Sequence, residues 1–270
     1  MRENIRIALN ELGGDGWTGG VTYRNNLVKA LYASDINCDL FQISSDDSDV
    51  ERKIKNVKIN KSSSFLSLVF YRFIKKSFKI DFRLRKELQS RSIEVLFPSN
   101  IKLGKGIGTI CWMPDFQFMH LPELYTNSQL KKMEIKLRGY FNHMPLVVLS
   151  SEDAKSDFKN FSPEFLHKTR IMKFVAHVPD NLYELDLNIV INKYNLPKDF
   201  LYLPNQFWKH KNHIVVLKAL NHIKKKIDFE IISSGNNTDY RFPNHFKYLE
   251  NYIKEKKLEK YFRILGVVPF

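Results

Sequence analysis

The 270-residue chain predicts an α/β fold of two doubly wound parallel units, the second about half the usual size. Three observations carry this expectation. Short apolar runs rich in β-branched residues alternate with longer segments of helical period. Those runs are apolar along nearly their whole length, as strands covered on both faces are. The alternation also occurs twice, once on each side of a proline-bearing stretch.

In the first series Ile5–Leu9, Cys38–Ile43, Glu94–Pro98, Gly108–Trp112, Leu146–Ser150 and Thr169–Phe174 read as strands. Val21–Ala33, Ser64–Gln89, Asn127–Asn142 and Ser151–Phe158 read as helices. Ser150, with Asp153 three residues later, has the form of a capping-box start, and Asp157 continues the polar face. The stretch from Phe174 to Lys198 holds Pro179 and Pro197 and reads as a crossing between domains. Beyond it come strand Phe200–Pro204, helix Asn212–Lys225, strand Asp228–Ser233, helix Pro243–Lys257 and strand Tyr261–Leu265, a second βαβαβ unit. The expected division is a first domain over 1–178, a crossing over 179–198 and a partial second domain over 199–270. The run from Asn195 onward has roughly 75 residues, against about 100–150 for a complete doubly wound domain.

Composition narrows the function. With 43% hydrophobic and 27% charged residues the chain is globular, not disordered. Cys38 and Cys111 are its only cysteines, far apart, which argues against a zinc site or a disulfide framework and suits a reducing compartment. Ile5–Leu9 is too short for a signal peptide, and the apolar stretch from Phe65 to Ile74 is broken by Arg72. The expected location is the cytoplasm, or the surface of a membrane that the chain does not cross. A net charge of +14 raises a nucleic-acid reading, but the basic residues are spread along the chain and no nucleic-acid motif accompanies them. Two anionic partners remain, a nucleotide diphosphate in a cleft and an anionic membrane surface. Segment 65–85 bears on the second: Phe65, Phe70, Phe73 and Phe78 share it with Arg72, Lys75, Lys76, Lys79, Arg83 and Arg85. Such a helix either lies in a bilayer interface or packs its apolar face on the sheet.

Three loops, each following a strand, carry chemistry. Gly13 to Gly20 opens the first helix, where glycines admit a ligand close to the backbone and helix N–H groups face it. Its spacing is not that of a nicotinamide or flavin fingerprint. Trp112 to Glu123 gathers Asp115, Gln117 and His120 among prolines and aromatic residues, a set suited to sugar hydroxyls, or to a structural loop in which His120 merely packs. Leu203 to His213 leads from a strand into a helix and carries Lys209 and Lys211, cations at a helix N-terminus that suit a pyrophosphate. Phe207 and Trp208 in this turn demand a partner.

Five segments in order resemble glycosyltransferase family 4, of the GT-B fold with two Rossmann-like domains. They are Gly19-Gly20 with Asn26-Leu27 and Ala30-Leu31, Trp112 to Gln117 with Leu121 to Glu123, Ser150 to Ala154, Leu203 to His213, and Ile264 to Pro269. The resemblance implies transfer of a sugar from a nucleotide-diphosphate sugar to a glycan or lipid-linked acceptor, by a retaining enzyme of cell-surface polysaccharide synthesis. Donor-binding residues by this resemblance are Gly19, Gly20, Asn205, Gln206, Lys209, Lys211, Gly235, Gly266 and Val267. Lys211 falls on the diphosphate lysine, and Gln206 stands where many members carry arginine. Gly235 lies at a strand end near the nucleotide, and Gly266-Val267 at the turn whose backbone meets the base. Asp115 and His120 are the catalytic candidates, His120 standing two residues beyond Phe118, the position at which this branch often has histidine. No cofactor and no metal are expected, since lysine and helix N–H groups neutralise the departing phosphate. The family's later glutamate-rich motif falls beyond Phe270, so the resemblance implies a C-terminally truncated chain. The alternative is a catalytically inactive remnant, or a subunit whose partner supplies the missing half-domain.

Overall fold

In a computed structural model the described residues are 4–12, 18–43, 55–57, 81–101, 103–176, 178 and 182–268. The chain divides into two compact units, Met1–His177 and Val178–Phe270.

The first unit is a parallel sheet of seven strands in the order β3-β2-β1-β4-β5-β6-β7. The strands are β1 (Ile5–Leu9), β2 (Cys38–Ile43), β3 (Lys55–Val57), β4 (Val95–Phe97), β5 (Gly108–Met113), β6 (Leu146–Leu149) and β7 (Thr169–Ile171). Successive residues of β1 explain why the strands read as continuous apolar runs. Ala8 joins one core with Leu84, Leu88 and Leu96, while Leu9 joins another with Tyr23, Val28 and Phe97 on the opposite face. The order reverses between β1 and β4, the point at which open α/β sheets bind ligands outside their strand ends.

Helix α1 (Thr18–Ala33) follows β1. The single helix expected over 64–89 is corrected at its C-terminal end. Asp81 has extended backbone and its carboxylate accepts the Leu84 N–H, so α2 (Phe82–Gln89) starts afresh there; residues 64–80 lie outside the described set. Then come α3 (Gln117–His120), α4 (Asn127–His143) and α5 (Glu152–Phe161). A capping box at Thr126 and Gln129 starts α4. The cap of α5 is Ser151, whose hydroxyl accepts the Ala154 N–H, one residue later than expected. Ser150 instead donates its hydroxyl to the Pro114 carbonyl. These helices press five aromatic rings together: Phe116, Phe118, Phe141, Phe158 and Phe161, with Phe141 and Phe158 centred 4.7 Å apart. Burial of each such ring contributes about 1.5–3 kcal/mol, which anchors the loop carrying Phe116 and Phe118.

The second unit holds a parallel sheet in the order β10-β9-β8, from β8 (Phe200–Pro204), β9 (Glu230–Ser234) and β10 (Phe262–Gly266). Helices α7 (His213–Ile223) and α8 (His245–Glu255) bury Leu217, Leu220, Leu249 and Ile253 with Phe207, Ile231 and Phe262. The stretch read as a crossing contains a further helix, α6 (Leu187–Tyr194), whose start Asp186 caps through the Asn188 N–H. Its Leu187 and Ile189 are exposed, as are Leu201 and Tyr202 on β8. No helix among the described residues is long and apolar enough to cross a membrane.

Candidate functional site

In the first unit the described residues after β1, β5 and β7 meet at the carboxyl edge of the sheet. Gly13 to Trp17 lie outside the described residues, and Gly19 (exposed) and Gly20 (buried) form the first turn of α1. One turn on, Tyr23 stacks on Trp112 with ring centres 4.4 Å apart and planes 12° from parallel. Phe174 meets both rings edge-on, and Asn26 holds this segment by donating to the Val175 carbonyl at 2.9 Å. Burial pushes the Tyr23 hydroxyl up to about 12, so it stays protonated.

Asp115 is exposed, and its Oδ1 accepts the Gln117 N–H at 3.1 Å, which starts the short helix α3. Within that helix Phe118 turns into the aromatic core while His120 turns outward. His120 Nε2 lies 2.8 Å from Asp157 Oδ2. This corrects the reading of Asp157 as part of a polar face: it is 8% exposed and directed at the loop. The hydrogen bond to Asp157 and then its charge raise the His120 pKa above the ordinary histidine value, against an opposing desolvation and with a lesser contribution from Asp153. A histidine oriented by a carboxylate is a competent proton carrier, and the pair leaves Nδ1 for a ligand.

In the second unit the loops after all three strands lie side by side. Gly235 has φ +150°, and a Cβ there would fall 2.3 Å from the Asn205 carbonyl oxygen, so only glycine lets the two backbones touch. Gly235 N–H in turn donates to Gly266 O at 2.8 Å, and Phe207 N–H to Asn236 O at 2.9 Å. The structure thereby brings Asn205, Gln206, Gly235 and Gly266 together, with Val267 exposed beside them.

The turn between β8 and α7 differs from expectation in one respect. Its aromatic residues are satisfied within the unit: Phe207 is buried and stacks on His213 at 4.5 Å, and the Trp208 indole donates to Thr238 O at 3.2 Å. Lys209 and Lys211 are both exposed, and Lys209 Nζ sits 4.2 Å from the centre of the Phe242 ring. Helix α7 begins after Asn212 with no side-chain cap and no acid in its first turn, although the Val215 N–H donates to Asn212 O at 3.1 Å; an uncapped start of this kind suits an anion. Burial, with His245 and Lys211 nearby, drives His213 down to about 4, so it is neutral at pH 7.

Two further residues escaped the reading of the sequence. Asp239 and Arg241 hold the turn, Asp239 Oδ2 accepting the Lys209 N–H. Beside them a pocket of about 330 Å³ opens, lined by Lys209, Phe242, Pro243, His245 and Tyr248 among others. A lone aspartate in a polar turn carries no signal that separates it from solvent-facing neighbours. No group of three histidine, cysteine or acidic side chains suited to a metal occurs among the described residues.

No family model matches this sequence, and no curated protein sequence matches it. Solved structures do match the fold. A glycosyltransferase from Rickettsia africae is similar over 99% of this chain and 69% of its own, with a TM-score of 0.63 and 15% identity. Anabaena HepE in complex with UDP and glucose is similar over 98% of this chain and 70% of its own, with a TM-score of 0.61 and 11% identity. Sucrose-phosphate synthase from Thermosynechococcus elongatus gives 98% and 71%, with a TM-score of 0.59 and 11% identity. The fold is that of the GT-B glycosyltransferases.

Proposed function

We propose that the protein is a glycosyltransferase that takes its sugar from a nucleotide-diphosphate sugar and passes it to a glycan or lipid-linked acceptor. The observation that carries this reading is the meeting of Asn205, Gly235 and Gly266 at the carboxyl edge of β8, β9 and β10, next to the uncapped start of α7 and Lys211. Close backbone approach, a helix N-terminus and a lysine are what a diphosphate requires. Anabaena HepE, of the same fold, is described with UDP and with UDP-glucose, which supports a nucleotide sugar as the donor here.

In the proposed reaction an acceptor hydroxyl oxygen bonds to the anomeric carbon with retention of configuration. The glycosyl–phosphate bond breaks, the nucleoside diphosphate leaves, and the hydroxyl proton passes to the departing phosphate. Lys211 and the α7 N–H groups stabilise the charge that develops on the leaving phosphate, in place of a metal ion. Gly19 and Gly20 at the start of α1 contribute to the donor site. Asp115 and His120 serve at the reacting sugar, with Asp157 orienting His120. We assign the activity to cell-surface polysaccharide synthesis on the cytoplasmic side. The basic segment 65–85, largely outside the described residues, would hold the enzyme at the membrane.

The test is release of nucleoside diphosphate from a panel of UDP-, GDP-, ADP- and dTDP-hexoses in the presence of mixed lipid-linked acceptors. Lys211→Ala is expected to lower the rate about 100-fold, the usual effect of losing one preorganised charge-stabilising group. Release that is unaffected by Lys211→Ala, or neither release nor binding from any donor, overturns the reading. A second reading is favoured by β8, which is an edge among the described strands with Leu201 and Tyr202 more than half exposed. There, catalysis needs a partner that supplies further strands, and the donor binds without turnover until that partner is added.

A further inference from the structure

Asp239 joins the loops after β8 and β9. It is 2% exposed, and each carboxylate oxygen is committed to a different backbone N–H. Oδ2 accepts from Lys209 at 2.9 Å and Oδ1 from Arg241 at 3.0 Å. The Arg241 Nε lies 3.7 Å from Oδ1, and these two side chains are 9% and 1% exposed. A guanidinium can only donate, so the 3.0 Å contact of Arg241 Nη2 with His210 Nδ1 makes that nitrogen the acceptor. Burial alone would raise the Asp239 pKa. The N–H groups of Lys209 and Arg241, the Arg241 charge and the Phe242 N–H outweigh it and hold the carboxyl below its usual range. Thus a buried, ionised aspartate ties its own loop, at the Arg241 N–H, to the Lys209–Lys211 turn, at the Lys209 N–H.

We propose that Asp239 is a positioning residue of the diphosphate site. Through the Lys209 N–H it fixes the turn on which Lys211 stands and from which α7 begins, and so sets affinity for the phosphates of the donor. The proposal rests on the donor reading given above. It assigns to Asp239 more than general cohesion of the unit, because the earlier part of the loop has its own ties. Phe207 N–H is bonded to Asn236 O and the Trp208 indole to Thr238 O, and Gly235 packs on Asn205. Asp239 acts on the second half of the turn, the half that carries both lysines. An asparagine there keeps the shape but offers one carbonyl oxygen to two N–H groups, and turns an amide N–H towards the other.

The experiment titrates wild type and Asp239→Asn with uridine diphosphate and guanosine diphosphate, each beside its own nucleoside, by calorimetry or ligand-observed NMR. Asp239→Asn is expected to weaken the diphosphate that wild type binds about tenfold, the scale of one charge-assisted hydrogen bond, and to leave the nucleoside affinity unchanged. Asp239→Glu, which restores two acceptors, is expected to recover part of the loss. Equal losses for nucleoside and diphosphate, or no loss at all, overturn the proposal. A wild-type protein that binds neither diphosphate overturns the donor reading, and this proposal with it. Where Asp239→Asn does not fold, Arg241→Gln leaves both backbone bonds in place and removes the neighbouring charge. It is expected to show the same selectivity for the diphosphate with a smaller loss, and a uniform loss counts against the proposal.

Discussion

Gly235 shows how much of the second unit turns on single atoms. A methyl group at this position meets the Asn205 carbonyl oxygen at 2.3 Å, its carbon at 2.7 Å and the Gln206 Cα at 2.8 Å. All three are backbone, so no side chain can swing aside, and a φ of +150° is itself poorly tolerated by alanine. Gly235→Ala is expected to cost about 2–3 kcal/mol by chemical denaturation and to weaken nucleotide binding, because relief must come from shifting 205–206. A variant as stable as wild type would mean the two loops are not in contact. Gly235 was legible in the sequence as a strand-end glycine. Asp239 and Arg241 were not, because the run Asn236-Asn237-Thr238-Asp239-Tyr240-Arg241 reads as an ordinary polar turn until the fold lays it against Lys209. Phe207 and Trp208 were legible as residues that need partners, but the partners, His213 and Thr238, lie within the same unit.

Among the elements, α5 matters most for chemistry because of the face it turns inward. Its cap at Ser151 sets the helix so that Ala154, Asp157, Phe158 and Phe161 are buried, and Asp157 reaches His120 at the end of α3. The hydrogen bond and charge of Asp157 raise the His120 pKa. Asp157→Asn is therefore expected to move it down towards the ordinary histidine value, measured by NMR titration of the ring protons. The sign follows from linkage: a raised histidine pKa adds stability below its unfolded value, and that contribution is lost as pH rises through the folded value. An unchanged His120 titration in the variant would separate the two residues. The helix itself was visible from its period, but that its Asp157 faces the His120 loop was not, because this depends on where the fold sets α3. Elements were legible where the period was long, as in α4 and α8. They were not where the segment was brief or polar, as in the three residues of β3 or the short helix α6.

For the whole molecule, the doubled alternation of apolar runs and helical segments was enough to anticipate two parallel sheets, since only strands covered on both faces lack a polar alternation. The same logic put the candidate loops at strand ends, and the order of the first sheet reverses between β1 and β4. Side-chain geometry was out of reach, because it depends on which loops the sheets set side by side. In the proposed function a nucleotide diphosphate seats on the loops following β8, β9 and β10. Hydrogen–deuterium exchange of the intact protein with and without saturating UDP or GDP tests it most directly. The expected result is slowed exchange confined to amides within 205–213, 235–241 and 266–268, and lost in Lys211→Ala at the same ligand concentration. Protection absent from all three segments, or appearing elsewhere in their place, would contradict the account.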